Sequence, residues 1–501
     1  MDILLAFGLI FGLIMAVSYG WGMRGTTIGG EKGAMLPGAI MGTFIAMFSG
    51  VYIVQESFFI FTALGAIGTY FGGCMTYGET LSFSMSAKPA IDMKKGLIAL
   101  FIKGALWFGA FGSIFTTGVS AVSKLYNIIE LIIIFALTPA LSILFLKVFN
   151  RPVDTDNVKF PKIYFSKTRK EYWGAMLGIV LSLVLINAVK QNTYSIIFTL
   201  ICALFGGVGF TVGQLVQIYI RHYAKASSLK LINKITSHVS LDGWKAMECT
   251  FGAIGGLGCS VAFFVTKESF KELVFNMERL GGVVPYNNIL CIVLFIIWLL
   301  AIGVDTVHYF IEKPLTKLQV NKLKKQGKLS DKKHERLIKR ATPEGMERFK
   351  KAQFYFEAYE FIVYAAVPFI LICLGSIHTG IVTSVFTMYW ILIQEICFEK
   401  KDKKLYEIIP ATVVGVGLII ISLIFTHSIK FTHLLILYTV IYEALTLYYL
   451  IPEITAKEKE RASSNDTLSV KEKARLVLQN KGFVVTHGYF IIAIIITLSF
   501  K

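Results

Sequence analysis

About fourteen apolar stretches, each of about 18 to 24 residues, run the length of the chain, and every second gap between them is basic. A helix of that length crosses a bilayer core of about 30 Å, so this pattern specifies an all-α, polytopic transmembrane bundle. The runs are continuous, which excludes a transmembrane β-barrel with its alternating strands. They fall at roughly 3–19, 34–54, 57–76, 96–118, 128–147, 173–190, 194–218, 243–266, 287–310, 353–375, 378–398, 406–427, 431–452 and 485–499. Gln55, Glu56 and Ser57 alone part the second run from the third, as in a tight hairpin. The first run follows Asp2, has no basic leader and meets no small-residue cleavage site. It therefore reads as a span and not as a signal peptide.

Charge is segregated. Lys88, Lys94 and Lys95 follow the third run, and Arg151 to Lys170 follow the fifth. Arg221 to Lys234 follow the seventh, and 311–352 is the longest basic loop. Lys401 to Lys404 follow the eleventh, and Lys457 to Lys481 precede the last. The positive-inside rule puts all of these in the cytoplasm and both termini outside, in the plasma or inner membrane; the lysine-, isoleucine- and asparagine-rich loops fit a bacterial source. The formal net charge of +18 is then a product of topology and of attraction to anionic lipids, with no nucleic-acid partner expected.

One phrase is written twice. Phe71-Gly72-Gly73-Cys74-Met75-Thr76-Tyr77-Gly78-Glu79 closes the third run, and Phe205-Gly206-Gly207-Val208-Gly209-Phe210-Thr211-Val212-Gly213-Gln214 closes the seventh. Glu31-Lys32-Gly33-Ala34-Met35-Leu36 and Glu171-Tyr172-Trp173-Gly174-Ala175-Met176-Leu177 open the second and sixth. Asp92-Met93-Lys94-Lys95 and Asp242-Gly243-Trp244-Lys245 precede the fourth and eighth. Three landmarks in one order and one membrane direction describe a parallel duplication of runs one to four and five to eight. The chain then divides into two four-helix repeats (1–126 and 127–266), further membrane helices with the 311–352 loop (267–452), and a basic segment with the last helix (453–501). A fainter third copy would place Glu357 and Glu360 at the opening of the tenth run and Gln394-Glu395 at the close of the eleventh.

Polar groups in hydrocarbon are costly, so those inside the runs are the candidate site. Glu443 lies deep in the thirteenth run and Lys103 about two turns into the fourth. Glu248 opens the eighth, and Asp305 with His308 closes the ninth. The turn Tyr19-Gly20-Trp21-Gly22-Met23-Arg24-Gly25-Thr26-Thr27-Ile28-Gly29-Gly30-Glu31 adds an arginine, an acid and backbone N–H groups suited to an anion. Arg24, Glu31, Glu79, Gln214, Glu248 and Glu443 are the expected substrate and ion ligands. Lys103, Asp305 and His308 are the expected ion pair or proton relay. Interfacial placement, snorkelling and helix packing explain such residues equally well in structural terms.

No catalytic signature is present: HxxxxD, HExxH and GxSxG are absent, and the glycine-rich turn lacks the Gly-Lys-Ser/Thr of a P-loop. The cysteines show no CxxC spacing, and neither a metal nor a cofactor is expected. The pattern points to a secondary transporter of a small polar or anionic solute driven by Na⁺ or H⁺. The alternative is a membrane-embedded transferase or flippase handling a lipid-linked substrate at the cytoplasmic face.

Overall fold

The computed structural model describes residues 3–24, 30–75, 77, 80–81, 90–150, 172–222, 243–279, 287–309 and 360–376, with scattered positions between 320 and 342 and Thr383. Every regular element among the described residues is helical. The chain forms two compact units, Met1–Gly282 with Val385–Lys501, and Val283–Ser384.

In the first unit the helices are α1 (Ile3–Arg24), α2 (Gly30–Met47), the short α3 (Tyr52–Glu56), α4 (Phe58–Gly72), α5 (Ala90–Val122), α6 (Ile128–Phe149), α7 (Trp173–Val189), α8 (Thr193–His222) and α9 (Gly243–Arg279). Within α5, α6, α8 and α9, the segments Met93–Val122, Ile128–Phe149, Thr193–His222 and Gly243–Phe275 are long and apolar enough to cross a membrane. Four such helices make this a multi-pass membrane protein in its architecture. α6 carries the point furthest, since Ile129, Ile132, Ile133, Ile143 and Leu144 all face outward. An apolar helix that buries so little of itself suits lipid and not water.

The core is built by close helix crossings at small residues. α2 lies along α4, where a Cβ on Gly38 would overlap Gly65 O and Thr69 Oγ1, and one on Gly42 would overlap Phe61 O. Thr43 and Thr62 hydroxyls meet across the same seam at 2.6 Å. α1 lies along α9, with Gly252 against Val17 O and Gly256 against Leu13 O. α5 and α9 both pack along α8, which makes α8 the central helix of the described bundle. α6 and α7 form an antiparallel pair tied at one end by Asn150 Oδ1, which accepts from Gly174 N at 2.8 Å.

Three boundaries differ from the sequence reading. The hairpin between the second and third spans turns at Phe48–Val51, ahead of the expected Gln55–Ser57. Gly50 sits there at φ +71°, and Ser49 Oγ accepts from Val51 N at 3.1 Å. The glycine-rich segment expected as a turn from Tyr19 is helical to Arg24, because Gly20 and Gly22 let α1 pack against Pro37 of α2 and Cys249 of α9. The segment after residue 266, expected as a loop, continues α9 to Arg279. The expected spans at 406–427, 431–452 and 485–499 lie outside the described residues, and of 378–398 only Thr383 is described.

α5 and α7 end alike. Leu125 N bonds Ser120 O and Lys124 N bonds Ala121 O, while Asn192 N bonds Asn187 O and Gln191 N bonds Ala188 O. These are Schellman closures, and they place Lys124 at φ +60° and Gln191 at φ +52°, where glycine is the usual occupant.

In the second unit α10 (Asn288–Tyr309) lies beside a π-helical turn (Ile362–Ala366) that leads into α11 (Val367–Cys373). Pro368 explains the wide turn: its ring cannot sit under the carbonyl of Tyr364, so the preceding helix loosens to i→i+5 spacing.

Candidate functional site

Both copies of the repeated phrase pack on one stretch of α5. A Cβ on Gly72 would overlap the Trp107 ring, one on Gly206 would overlap Gly104 O, and one on Gly207 would lie against Phe101. The paired glycines thus let α4 and α8 approach Phe101–Phe108 from two sides, which brings their polar ends to Lys103. Trp107 Nε1 donates to Thr69 O at 3.0 Å and fixes α4 on the other side.

Lys103 and Gln214 are both fully buried. Lys103 Nζ donates to Thr80 Oγ1 at 2.8 Å, and Gln214 Nε2 donates to Leu81 O at 3.4 Å. Two adjacent residues just beyond the first phrase therefore bridge α5 and α8. The turn that holds them is closed by Leu81 N donating to Tyr77 O at 2.9 Å. Tyr77 stacks on Trp244 of α9 at 5.9 Å between centroids and meets Phe210 of α8 edge-on at 5.4 Å. Below lies a filled aromatic layer in which Phe251 stacks on Phe210 at 4.5 Å, and Trp21 contacts Trp107 and Phe251 at 4.7 Å each.

Glu248 is 2 % exposed, yet it does not stand as an isolated acid. It accepts from Trp244 Nε1 at 2.8 Å and from Lys245 Nζ at 3.0 Å, and Lys245 Nζ also reaches Gly22 O at 2.5 Å. The pair is local to α9 and couples its first turns to the end of α1. Gln217, one turn beyond Gln214 on α8, is fully buried, and neither its amide nitrogen nor its amide oxygen finds a partner.

Of the residues expected from sequence, Lys103, Gln214 and Glu248 gather at this end of the first unit. Arg24 ends α1 and Glu31 lies in the first turn of α2, but their side chains lie outside the described part of the structure. Asp305 and His308 fall in the last turns of α10, in the second unit, and their side chains are likewise outside it. Glu79 and Glu443 are outside the described residues altogether, as are Glu357, Gln394 and Glu395. Sequence reasoning missed Thr80, Lys245 and Gln217. Gln217 had a signal, because an i,i+3 spacing from Gln214 puts both amides on one helix face.

A second polar cluster, also missed, lies between the far ends of α5, α7 and α8. Asn187 Oδ1 accepts from Tyr126 OH at 2.6 Å and from Asn192 Nδ2 at 2.7 Å. Asn187 Nδ2 donates to Thr117 Oγ1 at 3.0 Å, and Asn192 Nδ2 to Ser120 Oγ at 2.8 Å. The Thr116 and Ser195 hydroxyls meet at 2.6 Å. All of these residues are buried, and most of their polar atoms are paired, the pattern of a structural clasp that fixes one set of helix ends. Outside it, Lys190 pairs with Glu130 at 2.9 Å.

Among the described residues no group of three or more His, Cys, Asp or Glu side chains is placed to hold a metal ion. No protein-family model, curated protein or solved structure matches the chain.

Proposed function

We propose that the chain is a secondary transporter of a small polar or anionic solute, driven by a Na⁺ or H⁺ gradient. The observation that carries this reading is the pair Lys103 and Gln214. These are fully buried polar groups on two membrane-length helices, held by one short bridge at Thr80–Leu81. An ionisable residue buried inside a spanning helix, as Lys103 is, is a candidate for a solute or ion pathway. The paired glycines beside them lower the cost of a helix shift, because the seams they make hold few side chains to unlock.

In this reading the full chain crosses the membrane about fourteen times, with its basic segments in the cytoplasm. A parallel duplication relates helices one to four and five to eight. The second members of the two sets pack differently, since α2 runs along α4 as well as α1, whereas α7 runs along α6 and α5. Duplication followed by divergence accounts for that, as it does for glutamate in one phrase and glutamine in the other.

The test is uptake into liposomes by wild type and Glu79→Gln across a panel of small polar solutes, with Na⁺ and proton gradients imposed in turn. Gradient-dependent uptake that falls in the variant supports transport. No flux under any gradient, together with turnover of a lipid-linked substrate, replaces it with the membrane-transferase reading.

A further inference from the structure

Gln217 is fully buried on α8 with both ends of its amide unpaired, and each buried group left unpaired costs about 1 to 3 kcal/mol. Leucine would fit this apolar helix at no such cost, so the amide has to be accounted for. Its surroundings point to a ligand. Gln217 Cγ and O stand 3.4 and 3.5 Å from the position a Cβ would take on Gly243, the residue that opens α9. α9 is 37 residues long, and its first N–H groups carry partial positive charge. The stem of the Gln217 side chain therefore lies beside a helix start that bears no side chain at its first residue. Gln214 stands one turn away on the same face of α8. The charges nearby are Arg221, an exposed residue whose Cγ stands 3.4 Å from the same Cβ position on Gly243, and Lys245 and Glu248, which are 3.0 Å apart and neutralise each other.

We propose that Gln217, flanked by Gln214 and the opening turn of α9, is the residue that reads the solute, and that it takes an uncharged group with an acceptor and a donor side by side, a primary amide. The inference rests on the transport reading above and names the solute class for that site. A glutamine amide offers one donor face and one acceptor face. A primary amide satisfies both at once. A carboxylate would satisfy the donor and set oxygen against oxygen at the other end; an ammonium would do the reverse. The α8–α9 seam is closed around Gln217 in this structure, so the solute enters when that seam opens. At this seam Gly213 lets α8 approach Met247 O of α9 closely.

The test is thermal unfolding of the purified full-length protein in detergent, with acetamide against sodium acetate and nicotinamide against sodium nicotinate at matched ionic strength. Wild type is expected to gain about 3 °C or more with the amides and less with the carboxylates. Gln217→Leu is expected to unfold at a higher temperature than wild type without additive and to lose the amide response. If Gln217→Leu fails to fold, Gly243→Val, which sets a branched side chain against the Gln217 stem, is expected to lose the response. No amide response in wild type, the result if Gln217 serves only a buried water, overturns the proposal. So does a response that Gln217→Leu keeps. Binding is measured here without a gradient, so the two readings fail separately. An amide response with no flux in liposomes keeps the seat and removes transport; flux unaffected by Gln217→Leu removes the seat and keeps transport.

Discussion

Lys103 Nζ donates to Thr80 Oγ1 across 2.8 Å, from a membrane-length helix to the residues that follow the first repeated phrase. The bond joins a fully buried ammonium to a segment carried on α4, so any movement of that segment changes the surroundings of the charge. Thr80→Val removes the acceptor and leaves the ammonium less satisfied, at a cost of about 1.5 to 3 kcal/mol. Lys103→Met removes the charge as well and is expected to be at least as stable as Thr80→Val. Thermal unfolding of both variants in one detergent gives the order; a Lys103→Met protein far less stable than Thr80→Val would show that the ammonium is chiefly structural.

The clasp at the other end makes the opposite prediction. Asn187 makes hydrogen bonds to Tyr126, Asn192, Thr117 and Leu183 O. Asn187→Leu strands several buried groups together and is expected to cost about 3 kcal/mol or more. Tyr126→Phe leaves Asn187 Oδ1 still paired with Asn192 and is expected to cost about 1 kcal/mol. Equal effects in unfolding measurements would contradict the network as described.

The small-residue seams predict where added volume is not tolerated. Gly42→Val sets a branched side chain against Phe61 O, and Gly206→Val sets one against Gly104 O. Both force backbones apart and are expected to cost more than the about 1 to 3 kcal/mol of ordinary overpacking. Gly109→Ala, whose Cβ would meet Ala203 at 3.4 Å, is expected to be nearly neutral. Expression and monodispersity in detergent separate the three.

Much of this was legible in the sequence. Apolar run lengths located α5 to α8 to within a few residues, because hydropathy reports the one constraint a bilayer imposes on every helix. Helix ends were less legible: Gly20 and Gly22 read as a turn when taken alone, and only their packing on α2 and α9 shows why the helix continues. The site was half legible. Lys103 and Gln214 stood out as polar residues in apolar runs, whereas Thr80 is an ordinary threonine until the fold brings it to the ammonium. Glu248 stood out as an acid at the opening of an apolar run, but its partner Lys245 three residues away did not, because i,i+3 pairing depends on which residues start the helix.

Lys124 offers a pH-dependent test. It stands at φ +60° just past α5, and partial burial holds its ammonium below the usual lysine range. The folded state therefore disfavours the charged form, and stability contributed by this group rises as pH climbs through the folded value toward 10.5. Lys124→Gly removes both the backbone strain and the charge. It is expected to stabilise by about 1 kcal/mol near neutral pH, and its advantage should shrink as pH rises toward that limit. A constant advantage from pH 7 to 10 would assign the whole effect to the backbone.

In the proposed function the Lys103–Gln214 end of the bundle carries solute across the membrane. The most direct measurement of this is gradient-driven uptake into liposomes by wild type, Lys103→Met, Gln214→Leu and, as a control in the far-end ion pair, Lys190→Met. The account predicts uptake by wild type and Lys190→Met and its loss in both site variants, with all four proteins folded and reconstituted alike. Undiminished uptake by Lys103→Met and Gln214→Leu would contradict it.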